Sequence, residues 1–304
     1  MGKRMIIIDT DPGHDDALAI LLLEKSGLFD IQAITTVAGN STIQNTTSNA
    51  RYILDLIHSN TPLYSGSAKP LQRKLVQAQV HGYGGLAGAV ITKKEPLSGN
   101  APEIIIELFK KYPHLITIVT LGPLTNIATA IRNDPSVAPL IQEVVMMGGA
   151  ISVPGNKNRV AEFNIFVDPD AADIVFRTKI PKTLIPLDVC NDVALHRDDF
   201  EQLAGTSLYE PVLAMMHHYI AGIEKYEKTK GALMYDPLAA YYLMNPQAYR
   251  TRTMDVQIET VSELTRGMTV ADKRTWGTQH PNVTVATAVD ATVFTHDFIT
   301  TLRT

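Results

Sequence analysis

The chain has 304 residues, a net charge of −4 and a hydrophobic content of 45%. The near balance of charge and the lack of a basic block argue against binding to a nucleic-acid backbone, which requires a concentrated positive surface. Cys190 is the only cysteine, which excludes an intrachain disulfide and a thiolate metal site and suits a reducing, cytoplasmic compartment, and no apolar stretch is long enough to span a membrane.

Four carboxylates follow the first predicted strand. Residues 5–8 are apolar and largely β-branched, which is typical of a buried strand, and Pro12 and Gly13 then turn the chain. The carboxylates are those of Asp9, Asp11, Asp15 and Asp16. Two unit charges about 4 Å apart repel by about 4 kcal/mol at an effective dielectric of 20, and a helix N-terminus relieves only about 0.3–1 kcal/mol per charge. Raised pKa values or splayed side chains would relieve the rest, but a bound hard cation with oxygen ligands is the better interpretation.

Strands and helices alternate along most of the chain, which predicts an α/β fold with a parallel sheet. The predicted strands after the first are 29–37, 115–121, 143–147, 183–189, 255–260, 268–271 and 283–289, and the predicted helices are 17–23, 43–58, 102–111, 127–131, 197–203, 209–228 and 296–302. No repeat or linker interrupts the pattern. We therefore expect residues 1–304 to form a single domain with an open, mostly parallel, Rossmann-like sheet flanked by helices.

Two further polar residues are expected at the carboxyl edge of this sheet, where ligands of such folds bind. Asn40 follows the second predicted strand, although asparagine also suits a simple turn. Residues 65–89 are irregular and rich in glycine, and His81 begins the string His-Gly-Tyr-Gly-Gly-Leu within them. This composition predicts a mobile flap that excludes water when it closes and carries His81 into the pocket. A purely structural or exposed histidine is the alternative.

The second half of the chain contributes more candidates. Asn156, Glu162 and Asn164 lie in a polar loop and offer donors and acceptors suited to sugar hydroxyls, although an ordinary surface loop has the same composition. Thr125 and Asp236 each stand at the start of a predicted helix, where local chemistry explains them as caps.

Several of these strings together resemble the nucleoside hydrolases, the inosine-uridine preferring family. Residues 9–17, Asp-Thr-Asp-Pro-Gly-His-Asp-Asp-Ala, look like the N-terminal signature of that family, and strings at residues 37–40, 81–86, 121–126 and 161–164 follow in family order up to Asp236. The resemblance implies the nucleoside hydrolase fold and hydrolysis of the N-glycosidic bond of a ribonucleoside to free base and ribose. It further implies a role in purine and pyrimidine salvage and a homodimer or homotetramer.

The resemblance also assigns roles to individual residues. Calcium would be bound by Asp11, Asp16, the main-chain carbonyl of Thr125 and Asp236, an all-oxygen set that suits a hard cation. Magnesium stays open, whereas zinc would require clustered histidines or cysteines. The ribose would be held by Asp15, Asn40, Asn156, Glu162 and Asn164, and the base would be contacted by Tyr226, which on its own pattern is more typical of a core residue. Asp11 would be the general base that activates the metal-bound water.

One departure from the family pattern affects the leaving base. In the family, the residue before the aspartate that matches Asp236 is often a histidine, which is proposed to protonate a leaving purine. In this chain that residue is Tyr235. The reference pKa of tyrosine is near 10, against about 6.5 for histidine. Tyr235 or His81 would then be the proton donor, and the choice among uridine, cytidine and inosine stays open. The rival functions are a magnesium-dependent phosphohydrolase and a non-catalytic nucleoside or ribose binder.

Overall fold

An eight-stranded sheet runs through the centre of the molecule in the computed structural model, which describes residues 2–92, 95, 98–276 and 279–304. The strands are β1 (Arg4–Thr10), β2 (Phe29–Thr36), β3 (Leu63–Ser65), β4 (Ile116–Thr120), β5 (Glu143–Met147), β6 (Lys182–Ile185), β7 (Ala194–Leu195), β8 (Ala232–Leu233), β9 (Tyr249–Met254), β10 (Val256–Ile258), β11 (Thr269–Ala271) and β12 (Val283–Val289). The helices are α1 (His14–Ser26), α2 (Ile43–Leu56), α3 (Ala101–Lys111), α4 (Thr125–Asn133), α5 (Phe163–Val167), α6 (Pro169–Phe176), α7 (Leu187–Cys190), α8 (Arg197–Glu201), α9 (Tyr209–Tyr226), α10 (Tyr235–Met244) and α11 (Ala291–Arg303).

The order of strands in the sheet is β3-β2-β1-β4-β5-β6-β12-β9. All neighbouring pairs are parallel except β12 with the edge strand β9. The chain runs outward in one direction through β2 and β3 and in the other from β4 onward, so the topological switch point lies between β1 and β4. Ligands of open α/β sheets bind in the crevice at such a point. The predicted open, mostly parallel α/β sheet is confirmed.

Helices cover both faces of the sheet, and β1 contributes to both hydrophobic layers. Ile6 and Ile8 point into one cluster and Ile7 into the other, as the alternation of strand side chains requires. Helix α1 packs against α10 and α11 as well as the sheet, which explains why residues 14–23 are buried on every side. The loop between β1 and α1 is therefore held between the buried end of β1 and the buried first turns of α1.

The sequence pattern was wrong or incomplete in several places. The strand predicted at 183–189 ends at Ile185, because Pro186 has no N–H group for the sheet and instead precedes α7. Residues 255–260 and 268–271 contribute β10 and β11, which pair with each other outside the main sheet. Strands β3 and β9 were not predicted, and β9 is largely exposed at the sheet edge. Helix α11 begins at Ala291, earlier than predicted.

None of the helices within the described residues combines the length and the apolar character needed to cross a membrane.

Candidate active site

The carboxylate of Asp16 organises the loop between β1 and α1. Its Oδ1 accepts hydrogen bonds from the Thr10 hydroxyl at 2.5 Å and from the Asp11 N–H at 3.2 Å. Its Oδ2 accepts from the Gly13 N–H at 2.9 Å and from the Asn40 side-chain amide at 3.0 Å. One buried side chain thus fixes the loop and joins it to the end of β2.

Asp11 lies in a narrow slot between the chain segments that follow β2 and β4. Its Oδ2 accepts the Asn40 N–H at 2.5 Å, and its Oδ1 is buried without a hydrogen-bond partner among the described residues. A Cβ atom at Gly39 would lie 2.0 Å from Oδ2, and one at Gly122 would lie 2.3 Å from Oδ1. These two glycines leave the only space that the Asp11 carboxylate can occupy here.

Three buried carboxylates meet beside this slot. Asp15, Asp16 and Asp236 each offer an oxygen, and these oxygens lie within 4.8 Å of one another. Asp15 and Asp16 are in the first turn of α1, and Asp236 is in the first turn of α10. The sequence predicted that Asp16 and Asp236 share an ion; the structure brings these two together with Asp15, which was predicted to hold ribose.

Uncompensated negative charge marks this cluster. Burial, followed by repulsion from Asp16, raises the pKa of Asp11, Asp15 and Asp236 well above the ordinary value. Burial raises the pKa of Asp16 as well, although several hydrogen bonds oppose the shift. The Oδ1 atoms of Asp11 and Asp15 are buried without hydrogen-bond partners in the described part of the chain. A divalent cation with oxygen ligands would offset all of these costs, so the residues fit such an ion.

The cap explanations for Thr125 and Asp236 do not hold. The N-cap residues of α4 and α10 are Leu124 and Met234. The Thr125 hydroxyl donates to Asp168 Oδ2 at 2.7 Å, so the side chain has its own structural partner. The role predicted for the Thr125 carbonyl stays a prediction, as does the membership of Asp11 in the set of metal ligands.

Asp9 lies under the cluster and belongs to the sheet rather than to the pocket. Its Oδ1 accepts hydrogen bonds from the Thr35 hydroxyl at 2.6 Å and from the Asn126 side-chain amide at 2.7 Å. Burial raises the pKa of Asp9 to about 7. Asp9 therefore connects β1 to β2 and to the first turn of α4, while Asp11 lies in the loop beyond the strand.

Glu162 and Asn164 bind main-chain groups of the protein. Glu162 caps α5, and its carboxylate accepts N–H groups of Gly149 at 3.0 Å, Asn164 at 2.7 Å and Ile165 at 3.1 Å. Burial raises its pKa to about 7 against the effect of these bonds. The Asn164 amide donates to the Leu121 carbonyl at 2.7 Å. These contacts join the loops after β4 and β5, and the ribose contacts predicted for both residues stay predictions.

A cavity of about 250 Å³ is lined by Asn40, which contacts Asp16, and by His81, which lies near Asp15. Its volume is slightly below the range of about 300–1,000 Å³ typical of drug-sized ligands. Five residues predicted to act on substrate line it, namely Asn40, His81, Asn156, Tyr226 and Tyr235. Lining residues that were not given a role include Lys157, Phe163, Tyr219 and Glu227. The cavity thus gathers side chains from the flap, the polar loop, α9 and α10.

The two predicted proton donors have different partners. His81 Nε2 lies 3.8 Å from Asp15 Oδ1, and burial lowers the pKa of His81 and raises that of Asp15. The Tyr235 hydroxyl donates to Glu227 Oε2 at 2.5 Å. Burial, and then the charge of Glu227, raise the pKa of Tyr235 well above its ordinary value.

Sequence reasoning missed Glu227 and His14. Glu227 is the C-cap residue of α9, where a negative charge opposes the helix dipole and a basic residue is expected. That mismatch was the available signal. His14 lies inside the acidic string and is fully buried, yet no periodic pattern indicates what it contacts, because its partners are in the flap.

Known proteins match almost the whole chain. The sequence profile described as inosine-uridine preferring nucleoside hydrolase matches residues 6–296. A relative from Shewanella sp. (strain ANA-3), pyrimidine-specific ribonucleoside hydrolase RihA, is 38% identical over 95% of this chain and 92% of its own. Two solved structures superpose closely: plant nucleoside hydrolase PpNRh1, at TM-score 0.92 and 29% identity over 99% of each chain, and the purine-preferring ribonucleoside hydrolase from Gardnerella vaginalis, at TM-score 0.90 and 30% identity over 99% of this chain and 98% of that one.

Proposed function

The chain belongs to the inosine-uridine preferring nucleoside hydrolase family, whose members hydrolyse ribonucleosides, and we propose that its preferred substrates are the pyrimidine nucleosides uridine and cytidine. The observation that carries the reaction is the cluster of Asp15, Asp16 and Asp236, with Asp11 close enough to be repelled by Asp15 and Asp16. The base preference is supported by the RihA relatives, which are described as pyrimidine-specific. It is also supported by Tyr235, which stands where a histidine is often proposed to protonate a purine. Inosine is a slower substrate in this proposal.

Calcium is the proposed cofactor of this metal-dependent family. Asp11, Asp16 and Asp236 and the Thr125 carbonyl would hold it, and Asp15 is close enough to Asp16 and Asp236 to join them. The ligands are all oxygen atoms, which suits calcium and also permits magnesium. When bound, such a cation supplies a lower pKa for a water molecule and positive charge for the sugar hydroxyls.

Asp11 is the proposed general base. Its Oδ2 is fixed by the Asn40 N–H, whereas its Oδ1 has no partner among the described residues and is free to take a proton. The proton comes from the attacking water molecule. The oxygen of this water then bonds to the anomeric carbon of ribose as the bond to the base nitrogen breaks, and the electron pair leaves with the base. Positive charge develops on the sugar, as in other glycoside hydrolyses, and the neighbouring carboxylates stabilise it.

His81 is the proposed proton donor to the leaving base. The Tyr235 hydroxyl donates to Glu227 and would have to break this hydrogen bond to protonate a leaving base. Nε2 of His81 instead faces Asp15 at the wall of the cavity. Tyr226 and the Tyr235–Glu227 pair would then contact the base, whereas Asp15, Asn40, Asn156, Glu162 and Asn164 would hold the ribose hydroxyls.

The test is the release of free ribose from uridine, cytidine, inosine, adenosine and guanosine. We expect release from uridine and cytidine above all, abolition by a chelator, and recovery with calcium better than with magnesium. Asp11→Asn is the negative control. Its kcat should fall by about 10²–10⁴-fold, the usual contribution of a general base.

Four results would contradict the proposal. Faster release from purine nucleosides would overturn the base preference. Chelator-resistant release would overturn the cation. Binding of uridine without any release would favour a non-catalytic nucleoside binder, and phosphate release from a phosphomonoester would favour the phosphohydrolase.

A further inference from the structure

We propose that His14 is a positioning residue. It holds the flap, residues 80–90, against the loop between β1 and α1, and it thereby orients Nε2 of His81 toward the cavity. The inference rests on the proposed function only for the role of His81. The seating itself follows from contacts between His14 and the flap and is testable without any substrate.

His14 binds the flap at two points that are six residues apart. Its Nε2 lies 2.8 Å from the Ala87 carbonyl, which can only accept, so Nε2 carries the proton of this bond. Its main-chain N–H donates to His81 Nδ1 at 3.3 Å, which leaves the proton of a neutral His81 ring on Nε2. Its own Nδ1, without a proton, lies 3.1 Å from the same atom as a ring contact. The Ala87 N–H donates to the His81 carbonyl at 3.1 Å and closes the turn between the two points. One residue of α1, through its main chain and its ring, therefore contacts both ends of a flap turn.

The ring of His81 is confined on its faces as well. The rings of His14, His81 and Tyr219 stack mutually, with centroids 5.3–5.5 Å apart and interplanar angles of 14–28°. A Cβ atom at Gly13 would lie 2.8 Å from atoms of the His81 ring, so the ring lies directly against the Gly13 main chain. Because Nδ1 faces His14, Nε2 is the nitrogen left toward Asp15.

Asn49 of α2 provides a second attachment between the same two segments. Its buried Nδ2 donates to the Pro12 carbonyl of the acidic loop at 2.8 Å and to the Gly84 carbonyl of the flap at 3.0 Å. Both hydrogens of this amide are thus used to join loop and flap. The tip of the flap projects into solvent, since Tyr83 is 99% exposed. The flap is consequently fixed near His81 by His14 and Asn49, and its tip faces solvent.

The decisive variant is His14→Phe, which keeps a ring in the stack, fills the volume and retains the main-chain N–H that donates to His81 Nδ1, but cannot bond the Ala87 carbonyl. His14→Gln retains an amide donor for Ala87 and serves as the conservative variant. Thr46→Val is the matched control, because Thr46 is equally buried on the helix that carries Asn49 but its hydroxyl bonds only the Ile43 carbonyl.

The first readout is amide hydrogen exchange of the flap in the calcium-loaded protein without substrate. Four flap amides donate within the segment or to Gln79 and report its closure, namely Gly82, Gly85, Ala87 and Ala89. We expect exchange at these amides to accelerate at least about tenfold in His14→Phe and Asn49→Ala, as the loss of one or two hydrogen bonds implies. Exchange of β1 and β4 should be unchanged, and Thr46→Val should match the wild type.

The second readout is a double-mutant cycle with His81→Ala on uridine. If His14 acts through His81, His14→Phe lowers kcat toward the value of His81→Ala, and the double variant loses no more than His81→Ala alone. His14→Gln should recover part of the lost kcat, and the KM values should change less than kcat.

Two outcomes overturn the proposal. Unchanged flap exchange in His14→Phe would show that His14 does not seat the flap. Additive losses in the double variant would show that it acts independently of His81. If the wild-type protein releases ribose from no nucleoside, the proposed function fails, and the exchange experiment still decides whether His14 seats the flap.

Discussion

The carboxylate half of the site and the base-facing half are built by different means. The carboxylates lie in the loop after β1 and in the first turns of α1 and α10, and main-chain N–H groups help to fix two of them, as Asn40 does for Asp11 and Gly13 for Asp16. The half proposed to face the base contains a pair of side chains from separate elements, Tyr235 and Glu227. In this proposal, main-chain contacts fix part of the half that would meet the ribose, which is common to all nucleosides, while the half that would meet the variable base can change by single substitutions.

The variant Gly122→Ala should have the largest effect, and it tests how the carboxylate half is fixed. The new Cβ would lie 2.3 Å from Asp11 Oδ1, so the carboxylate must leave its slot although no catalytic group is removed. We expect kcat on uridine to fall by about 10²–10⁴-fold, close to the effect of Asp11→Asn. Gly2→Ala is the control, because a Cβ there meets nothing within 4 Å and the residue has no positive φ. Retention of half the wild-type kcat by Gly122→Ala would show that the slot does not position Asp11.

A smaller effect is expected in the base-facing half. Tyr235→Phe removes the hydroxyl that donates to Glu227, and we expect kcat on uridine to fall less than about tenfold, since a general acid is worth about 10²–10⁴-fold and His81 retains that role. KM should rise because Glu227 loses its donor and no longer keeps its orientation toward the base. His81→Ala measured in parallel provides the comparison. If Tyr235→Phe lost more than His81→Ala, the two roles would have to be exchanged.

The smallest expected effect concerns stability of the metal-free protein. The pKa of Asp9 is raised to about 7 from 3.8 by burial, so the folded state binds more protons than the unfolded state between these values. Stability contributed by Asp9 is present below pH 4 and is lost as pH rises to 7, at about 1.4 kcal/mol per pH unit. Between pH 5.5 and 7, Tm should therefore fall by a few degrees more in the wild type than in Asp9→Asn. Equal slopes in the two proteins would refute this assignment.

Sequence patterns predicted the carboxylate half well because its information is local. Residues 9–16 are consecutive, Asn40 directly follows a predicted strand, and parallel strands place such ends at one edge of a sheet. The grouping of Asp16 with Asp236 came from the family resemblance, since no local rule relates residues so far apart. Asp15 shows the limit, because its place beside both depends on the direction of its side chain in the first turn of α1.

The base-facing half was predicted less well, for a physical reason. Glu227 and Tyr235 belong to separate helices, and their hydrogen bond depends on how these pack. The contacts of His14 with the flap depend in the same way on where an irregular segment folds back. Asp236 shows that a local pattern can also mislead. Asp before Pro is a typical N-cap sequence, but α10 already begins at Tyr235, so Asp236 is not the cap.

The single thiol of the chain makes the flap accessible to direct observation. Cys190 has no exposed surface, and burial raises its pKa, so it is a poor nucleophile in the native protein. A cysteine placed at Tyr83, whose side chain projects into water, would then be the site at which maleimide reagents react. Fluorophores or spin labels attached there would report opening and closing of the active site in real time, without prior removal of native cysteines.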